Sequence, residues 1–192
     1  MTTQLWVEKL KPLVEKDLHT RNVLLERGIL NDTYHPELEK IHVKNAHALK
    51  ILIEKSGFPL LSNAGEEGVR LSWLIILHAI SIPDFMRNSL IEMRLGASVQ
   101  DYPLDLLAYV EDRVSFLEGR KQLYGTHFDW VLGELRPTPI EDPERLQLRR
   151  KSMSLPPLVI DSHLVSSERP PREPLKKQRE FEQWLFKVRW RI

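Results

Sequence analysis

The side chain whose position most suggests chemistry is that of His78. It follows Ile75 by three residues and Leu74 by four, so on a helix it lies on the apolar face that these two residues define. An imidazole titrates near neutral pH and can serve as a general acid or base. A histidine on an apolar face can also be structural, with its ring bonded to a backbone carbonyl. His78 is therefore a candidate catalytic residue with a structural alternative.

Arg113 is a second charged residue in an apolar stripe, three positions after Val110. A guanidinium that faces a core needs a carboxylate, because an unpaired buried charge is very costly. That carboxylate could belong to a ligand, which would make Arg113 an anion-binding residue. It could also belong to the protein, with Glu66 or Glu67 as the partner that fastens two helices. The neighbouring Asp112 points in another direction and serves a different partner.

A third group of polar residues surrounds Gly125. Gln122, Tyr124 and Thr126 alternate along the chain, and His127 follows them. On a β-strand, alternate residues share one face, so an amide, a phenol and a hydroxyl would be presented together. Such a row could line a pocket for a small polar ligand, and its alternative is a hairpin face exposed to water.

These residues together support an enzyme hypothesis. His78 would act as general acid or base, Asp112 would orient it, Arg113 would hold an anionic group, and Tyr124 would complete the catalytic set. The residues expected to bind the ligand are Gln122, Thr126, His127 and Glu66. The reaction would be a hydrolysis or a group transfer on a polar, anionic small molecule, and no cofactor is implied.

Familiar catalytic and metal-binding motifs are absent. The sequence has no HExxH, Walker, GxGxxG or GxSxG motif. It has no cysteine, which excludes disulfides, thiol nucleophiles and cysteine metal sites. His42 and His47 are five residues apart and therefore off a common helix face, so no metal site is expected.

The overall composition is that of a soluble globular domain. The 192 residues are 42% apolar and 29% charged, with 28 Lys and Arg against 27 Asp and Glu. This balance gives no field that would attract nucleic acid. The longest apolar run, 71–80, is half of a bilayer span, and no signal peptide precedes it. We expect a cytoplasmic protein.

Apolar periodicity, with proline and glycine at the ends, predicts helices along most of the chain. The expected ranges before residue 158 are 3–27, 36–56, 65–80, 83–96, 103–119 and 142–155. A shift of the apolar phase near Asn45 indicates a break in the second of these. Residues 121–139 have the strand-forming and turn residues of a short hairpin. The predicted fold is mainly α: a compact helical domain with one short β-hairpin and an appended C-terminal amphipathic helix.

The C-terminal region predicts a separate docking element. We expect a helical core at 1–158, a proline-rich linker at 159–174 and an amphipathic helix at 175–192. Six basic and two acidic residues flank an apolar stripe on this helix, formed by Phe181, Trp184, Leu185 and Val188. This stripe could bind a protein partner or a second copy of the chain, which makes a non-catalytic interaction module the alternative function. It could also pack on its own domain or, less readily, lie on a membrane surface.

Half of the chain, residues 57–158, resembles a bacterial family catalogued only as a domain of unknown function. The matching segments are Gly57-Phe58-Pro59, Gly65-Glu66-Glu67-Gly68, His78-Ala79, Phe85, Asp112-Arg113, Gly119, Gln122, Tyr124-Gly125-Thr126, Pro139-Ile140-Glu141-Asp142-Pro143-Glu144, Arg149-Arg150, Leu155 and Pro157-Leu158. The resemblance implies a compact helical domain and carries no activity with it.

The chain departs from that family at several positions. Members generally have glutamine where this chain has Leu77, Met86 and His127, aspartate in place of Ile82, and glycine in place of Ser154. Three of these changes put apolar groups near His78. If the family has an active site there, this chain has altered it, which weakens the enzyme hypothesis relative to the interaction module.

Overall fold

A computed structural model of the chain describes residues 3–32, 34–131, 134–159 and 169–192. Within these residues it has seven α-helices, a short 3-10 helix and one antiparallel hairpin, which confirms the predicted fold class. The α-helices are α1 (Thr3–Glu26), α2 (Pro36–Ser56), α3 (Leu61–His78), α4 (Pro83–Ser98), α5 (Leu104–Leu117), α6 (Leu146–Ser152) and α7 (Pro174–Lys187). The strands are β1 (Phe128–Val131) and β2 (Glu134–Pro137), and the 3-10 helix is Pro143–Arg145.

The contacts within the chain define two compact units. Unit one contains the residues up to Asn22 together with His35–Leu107. Unit two contains Val23–Tyr34 together with Ala108–Ile192. Each unit is thus assembled from two separate stretches of sequence.

The core of unit one forms where α1 and α3 approach closely. Trp6 and Leu10 of α1 are buried, as are Ile75 and Ile76 of α3. At Gly68 of α3, an added Cβ would lie 3.0 Å from the Cβ of Trp6. A side chain at this position would therefore have to displace Trp6, and glycine lets the two helices pack closely.

Helix α3 begins four residues earlier than the sequence indicates. The predicted start, Gly65, is an interior kink with φ 66°, a backbone conformation that favours glycine. The true first turn is capped by Asp101, whose Oδ1 accepts a hydrogen bond from the Ser62 amide at 2.8 Å. Its Oδ2 accepts one from the Ser62 hydroxyl at 2.6 Å. The cap is distant in sequence, so local start signals do not reveal it.

Helix α2 is continuous, so the predicted break near Asn45 is wrong. Asn45 is buried, and its Nδ2 donates to the backbone oxygen of Leu13 at 3.1 Å. The shift in apolar phase therefore reflects a polar contact with α1 and leaves the helix intact.

The hairpin of unit two confirms the prediction of strands in this region. Strand β1 pairs with β2 in antiparallel register, with Phe128 opposite Pro137 and Trp130 opposite Leu135. The polar row 122–126 precedes β1 and is bent, with only an isolated bridge between Gln122 and Ile140. The expectation that these residues share one face of a strand is therefore wrong.

The apolar stripe of α7 packs inside unit two. The ring of Phe181 stacks on Phe116 of α5 with centroids 5.9 Å apart, and Trp184 meets Tyr34 edge-on at 5.3 Å. Leu185 is fully buried at 0% exposure. Of the alternatives for this stripe, packing on its own chain is the one the structure displays.

Most of the predicted linker, residues 160–168, lies outside the described residues. After it, the Arg172 amide donates to Oδ1 of Asp32 at 2.9 Å. The boundaries of the core and the linker remain predictions. In the part of the chain that the structure describes, no helix has both the length and the apolar character needed to cross a membrane.

The packing of α7 can be tested with a pair of adjacent leucine and phenylalanine substitutions. Leu185→Ala should lower the free energy of unfolding by about 2–5 kcal/mol, because it removes a buried side chain and leaves a cavity. Phe186→Ala, at a position that is 54% exposed, should cost less than about 1 kcal/mol. Urea unfolding of both variants measures the difference. Equal small losses would contradict the docking of this helix.

Candidate functional site

Three helices of unit one each contribute a polar side chain to a single buried contact. We call Asp17 of α1, His42 of α2 and His78 of α3 the imidazole–carboxylate cluster. Oδ1 of Asp17 lies 3.1 Å from Nε2 of His42, and its Oδ2 lies 2.7 Å from Nδ1 of His78. The side chains of Asp17, His42 and His78 are 2%, 9% and 21% exposed. The carboxylate of Asp17 is therefore almost completely buried, and the ring of His78 is the most exposed of the three side chains.

The carboxylate of this cluster is ionised at neutral pH. Burial alone would raise the pKa of Asp17, but hydrogen bonds and charge from His42 and His78 hold this pKa well below its usual range. An ionised carboxylate only accepts hydrogen bonds. The two ring nitrogens that face it are therefore the donors.

Neighbouring contacts hold the two rings in place. The imidazole centroids of His42 and His78 are 4.8 Å apart, with the rings tilted by 39°. Just after His78, the Ser81 hydroxyl donates to Oε1 of Glu39 on α2 at 2.7 Å. The end of α3 is thereby tied to the helix that carries His42.

Unit two contains a second buried carboxylate, Asp112, which accepts hydrogen bonds from the bent segment before β1. Its Oδ1 accepts from the amides of Leu123 at 2.7 Å and Tyr124 at 3.0 Å. Its Oδ2 accepts from the amide of Thr126 at 2.9 Å and from the hydroxyl of that residue at 2.8 Å. Burial raises the pKa of Asp112, and these hydrogen bonds oppose the rise. The carboxylate of Asp112 therefore holds residues 123–126 in their bent conformation.

The rest of that loop is equally well bonded. Nε2 of the fully buried Gln122 donates to the backbone oxygens of His127 at 2.9 Å and Thr138 at 2.8 Å, and its Oε1 accepts from the His127 amide at 2.9 Å. Arg150 donates from Nη1 to the backbone oxygen of Tyr124 at 2.5 Å. At Gly125, φ is 66° and an added Cβ would lie 2.8 Å from Leu158. Several residues that carry the family resemblance therefore build this loop.

His127 and Arg113 lie in unit two near a row of aromatic rings. The ring of His127 is 4.0 Å from that of Phe116, centroid to centroid. Burial lowers the pKa of His127 well below its usual range, and the charges of Arg113 and Lys177 lower it further. Lys177 also donates to Oδ1 of Asp129 at 3.0 Å. His127 is therefore a neutral ring beside positive charge.

The structure divides the predicted site residues between the units. His78 and Glu66 are in unit one, and Glu66 accepts hydrogen bonds from Arg70 at 3.3 Å on the surface of α3. Six others are in unit two: Asp112, Arg113, Gln122, Tyr124, Thr126 and His127. The carboxylate that contacts Nδ1 of His78 is Asp17, where the sequence analysis had assigned Asp112.

Sequence reasoning missed two members of the cluster, although a signal for them exists. Asp17 lies seven residues after Leu10 and seven before Leu24, in the middle of the apolar stripe of α1. His42 lies four residues after Leu38 on the core face of α2. A polar residue at a core position is the signal that identifies His78 and Arg113, and the same criterion identifies Asp17 and His42.

The structural role of Asp112 predicts a large stability loss on removal of its charge. Asp112→Asn replaces one acceptor oxygen with an NH₂ donor that faces N–H donors, so it should cost at least about 3 kcal/mol of unfolding free energy. Glu144→Gln makes the same carboxylate-to-amide change at an exposed position and should be nearly neutral. Chemical unfolding measures both. A mild loss in Asp112→Asn would show that the loop does not depend on this carboxylate.

The lowered pKa of His127 predicts a pH-dependent contribution to stability. Below about pH 6.5, the ordinary pKa of a histidine side chain, the unfolded chain binds a proton at this ring and the folded chain, whose His127 has a lowered pKa, does not. Unfolding is then favoured as the pH falls, by up to about 1.4 kcal/mol per pH unit. In His127→Gln this contribution disappears, so the loss of stability between about pH 7.5 and 5.5 should be smaller than in the wild type. An identical pH dependence in both proteins would refute this assignment.

Comparison with known proteins identifies a family. The sequence model of DUF6624, described as a family of unknown function, matches residues 6–167. No curated protein and no solved structure matches the chain. The match covers most of the sequence and includes all three residues of the imidazole–carboxylate cluster. The chain therefore belongs to the DUF6624 family.

Proposed function

We propose that the chain is an enzyme of the hydrolase or group-transfer class, with the imidazole–carboxylate cluster of unit one as its reactive centre. One observation carries the proposal: the buried carboxylate of Asp17 holds two imidazoles by hydrogen bonds of 2.7 and 3.1 Å, and one of these rings reaches solvent. Burying a carboxylate is costly unless donors compensate it. Here the compensating donors are chemically active rings.

This cluster has the parts needed to activate a water or hydroxyl nucleophile. A ring that donates from one nitrogen to a carboxylate can accept the proton of the nucleophile on its other nitrogen, as in general base catalysis. The same nitrogen and oxygen atoms can instead hold a metal ion that lowers the pKa of bound water. Both routes lead to transfer of an acyl or phosphoryl group to water or to another hydroxyl.

The substrate class follows from this chemistry. A centre with two imidazoles and one carboxylate suits a small polar ester or phosphate ester. The sequence predicts an anionic substrate because of Arg113. This residue lies in unit two beside His127, whereas the cluster lies in unit one. The anionic character of the substrate remains a prediction, and a panel of neutral and anionic esters tests it.

The interaction module is the weaker candidate. Its main support was the apolar stripe of α7, and the structure buries Leu185 of that stripe inside unit two. The rings of Phe181 and Trp184 also have partners there, Phe116 and Tyr34. A second partner for this stripe would have to displace those contacts.

The proposal predicts turnover that depends on His78. The full chain should hydrolyse a member of a panel that contains p-nitrophenyl acetate, p-nitrophenyl phosphate and an aryl amide, assayed with and without added zinc. His78→Ala should lower kcat/KM at least about 100-fold, because it removes the accessible ring of the centre. His47→Ala is the matched control, since His47 is exposed on the helix that carries His42, and it should retain full activity.

Two results would contradict this function. One is the absence of turnover across the whole panel under both metal conditions. The other is activity that survives in His78→Ala when circular dichroism shows that the variant is folded. Asp17→Asn adds a second probe, because it keeps the shape of the side chain while removing the charge that holds both rings.

A further inference from the structure

The imidazole–carboxylate cluster also has the composition of a metal site. Asp17, His42 and His78 each offer one ligand atom, and these three atoms lie within 4.8 Å of one another. Two imidazole nitrogens and one carboxylate oxygen are a common donor set for zinc and for other divalent transition metals. The three donors come from three different helices, so the fold itself brings them together.

The spacing of the donors fits a metal ion with little adjustment. With metal–ligand distances of about 2.0–2.2 Å, neighbouring ligand atoms around a tetrahedral zinc ion are about 3.0–3.5 Å apart. Nε2 of His42 lies 3.1 Å from Oδ1 of Asp17, and Nδ1 of His78 lies 2.7 Å from Oδ2, so each nitrogen is at this distance from a different oxygen of the carboxylate. The separation of the two histidine nitrogens is bounded by 4.8 Å. Rotations of the carboxylate and of the His78 ring would bring the three ligand atoms around one ion. The proton of each ring would also move to its other nitrogen, because a nitrogen that binds a metal must be unprotonated.

The charge of the cluster also calls for a cation. Among the described residues, the groups that donate hydrogen bonds to Asp17 are the two imidazoles. The ionised carboxylate of Asp17 places a negative charge in the core of unit one. A buried charge without a counter-charge is costly, and a divalent ion at this position would neutralise it.

We infer that Asp17, His42 and His78 bind one divalent transition metal ion of the zinc class, with the fourth coordination position open to water or to a substrate oxygen. Three protein ligands and one open position are the arrangement of catalytic zinc sites, whereas structural sites are closed by four protein ligands. The side chain of His78 is 21% exposed, so this side of the cluster is the one nearest to solvent. The role of the ion as a cofactor rests on the proposed function, and its binding does not.

Metal binding should be measured directly on the full chain. After dialysis against EDTA, titration with ZnCl₂ in a calorimeter should show one equivalent bound with micromolar or tighter affinity. Co²⁺ should bind in its place and give the intense visible absorption of a four-coordinate ion. His42→Ala and His78→Ala should each weaken zinc binding by more than the about 10–100-fold that loss of an outer-shell group costs. His47→Ala should bind as the wild type does.

Each outcome of this experiment decides the inference. One-to-one binding that is lost in both cluster variants and kept in His47→Ala supports it. Absence of zinc binding to the wild type, or unchanged binding in folded His78→Ala, overturns it. If His42→Ala does not fold, His78→Gln replaces it, and a zinc-dependent rise in the Tm of the wild type that is absent in His78→Gln supports the site.

The same measurements separate this inference from the proposed function. Turnover that is independent of metal in a protein that binds no zinc overturns the metal site and keeps the enzyme. Specific zinc binding in a protein with no turnover on any substrate overturns the enzyme and keeps the metal site.

Discussion

A carboxylate removed from water must be given hydrogen-bond donors, and each unit of this chain is organised around one such group. Asp17 is buried in unit one and Asp112 in unit two. An unpaired carboxylate at either position would cost several kcal/mol, which is comparable to the stability of a whole domain. The segments that supply the donors must therefore be in place before the unit is stable. In unit one these segments are α2 and α3, and in unit two they are the bent residues that lead into β1.

The two carboxylates differ in the chemistry of their donors. Asp112 is bonded to backbone amides and one hydroxyl, groups that keep their protons throughout the physiological pH range. Asp17 is bonded to two imidazoles, which exchange protons readily and bind metal ions. Both buried carboxylates need hydrogen-bond donors. In unit two these donors are groups that do not titrate, and in unit one they are imidazoles, which can take part in proton transfer. For this reason the candidate centre belongs to unit one. Most of the residues that carry the family resemblance nevertheless belong to unit two, where they follow Asp112 in the sequence.

Local signals in the sequence predicted local features of the fold, and long-range contacts account for what was missed. Helix α2 has the predicted bounds because its ends are set by local residues, a proline in its first turn and a glycine cap directly after Ser56. The start of α3 was missed because its capping residue, Asp101, is 39 residues away. In the site, periodicity identified His78, and it also held the signal for Asp17 and His42. Periodicity shows that a polar residue faces a core, but it does not show which helices meet there. The assignment of Asp112 as the partner of His78 rested on their types alone.

A contact between two distant stretches of unit two has a consequence for the order in which the chain folds. Nδ2 of Asn31 donates to the backbone oxygen of Arg169, and these residues are 138 positions apart. Closing a loop of that length costs about 2 kcal/mol more in chain entropy than closing one of about ten residues. In unit one, the contact between Asp17 and His78 closes over 61 positions. Contacts between distant residues slow folding, because the entropy is lost before the contacts repay it. Loop closure therefore favours the contact between Asp17 and His78 ahead of the contact between Asn31 and Arg169.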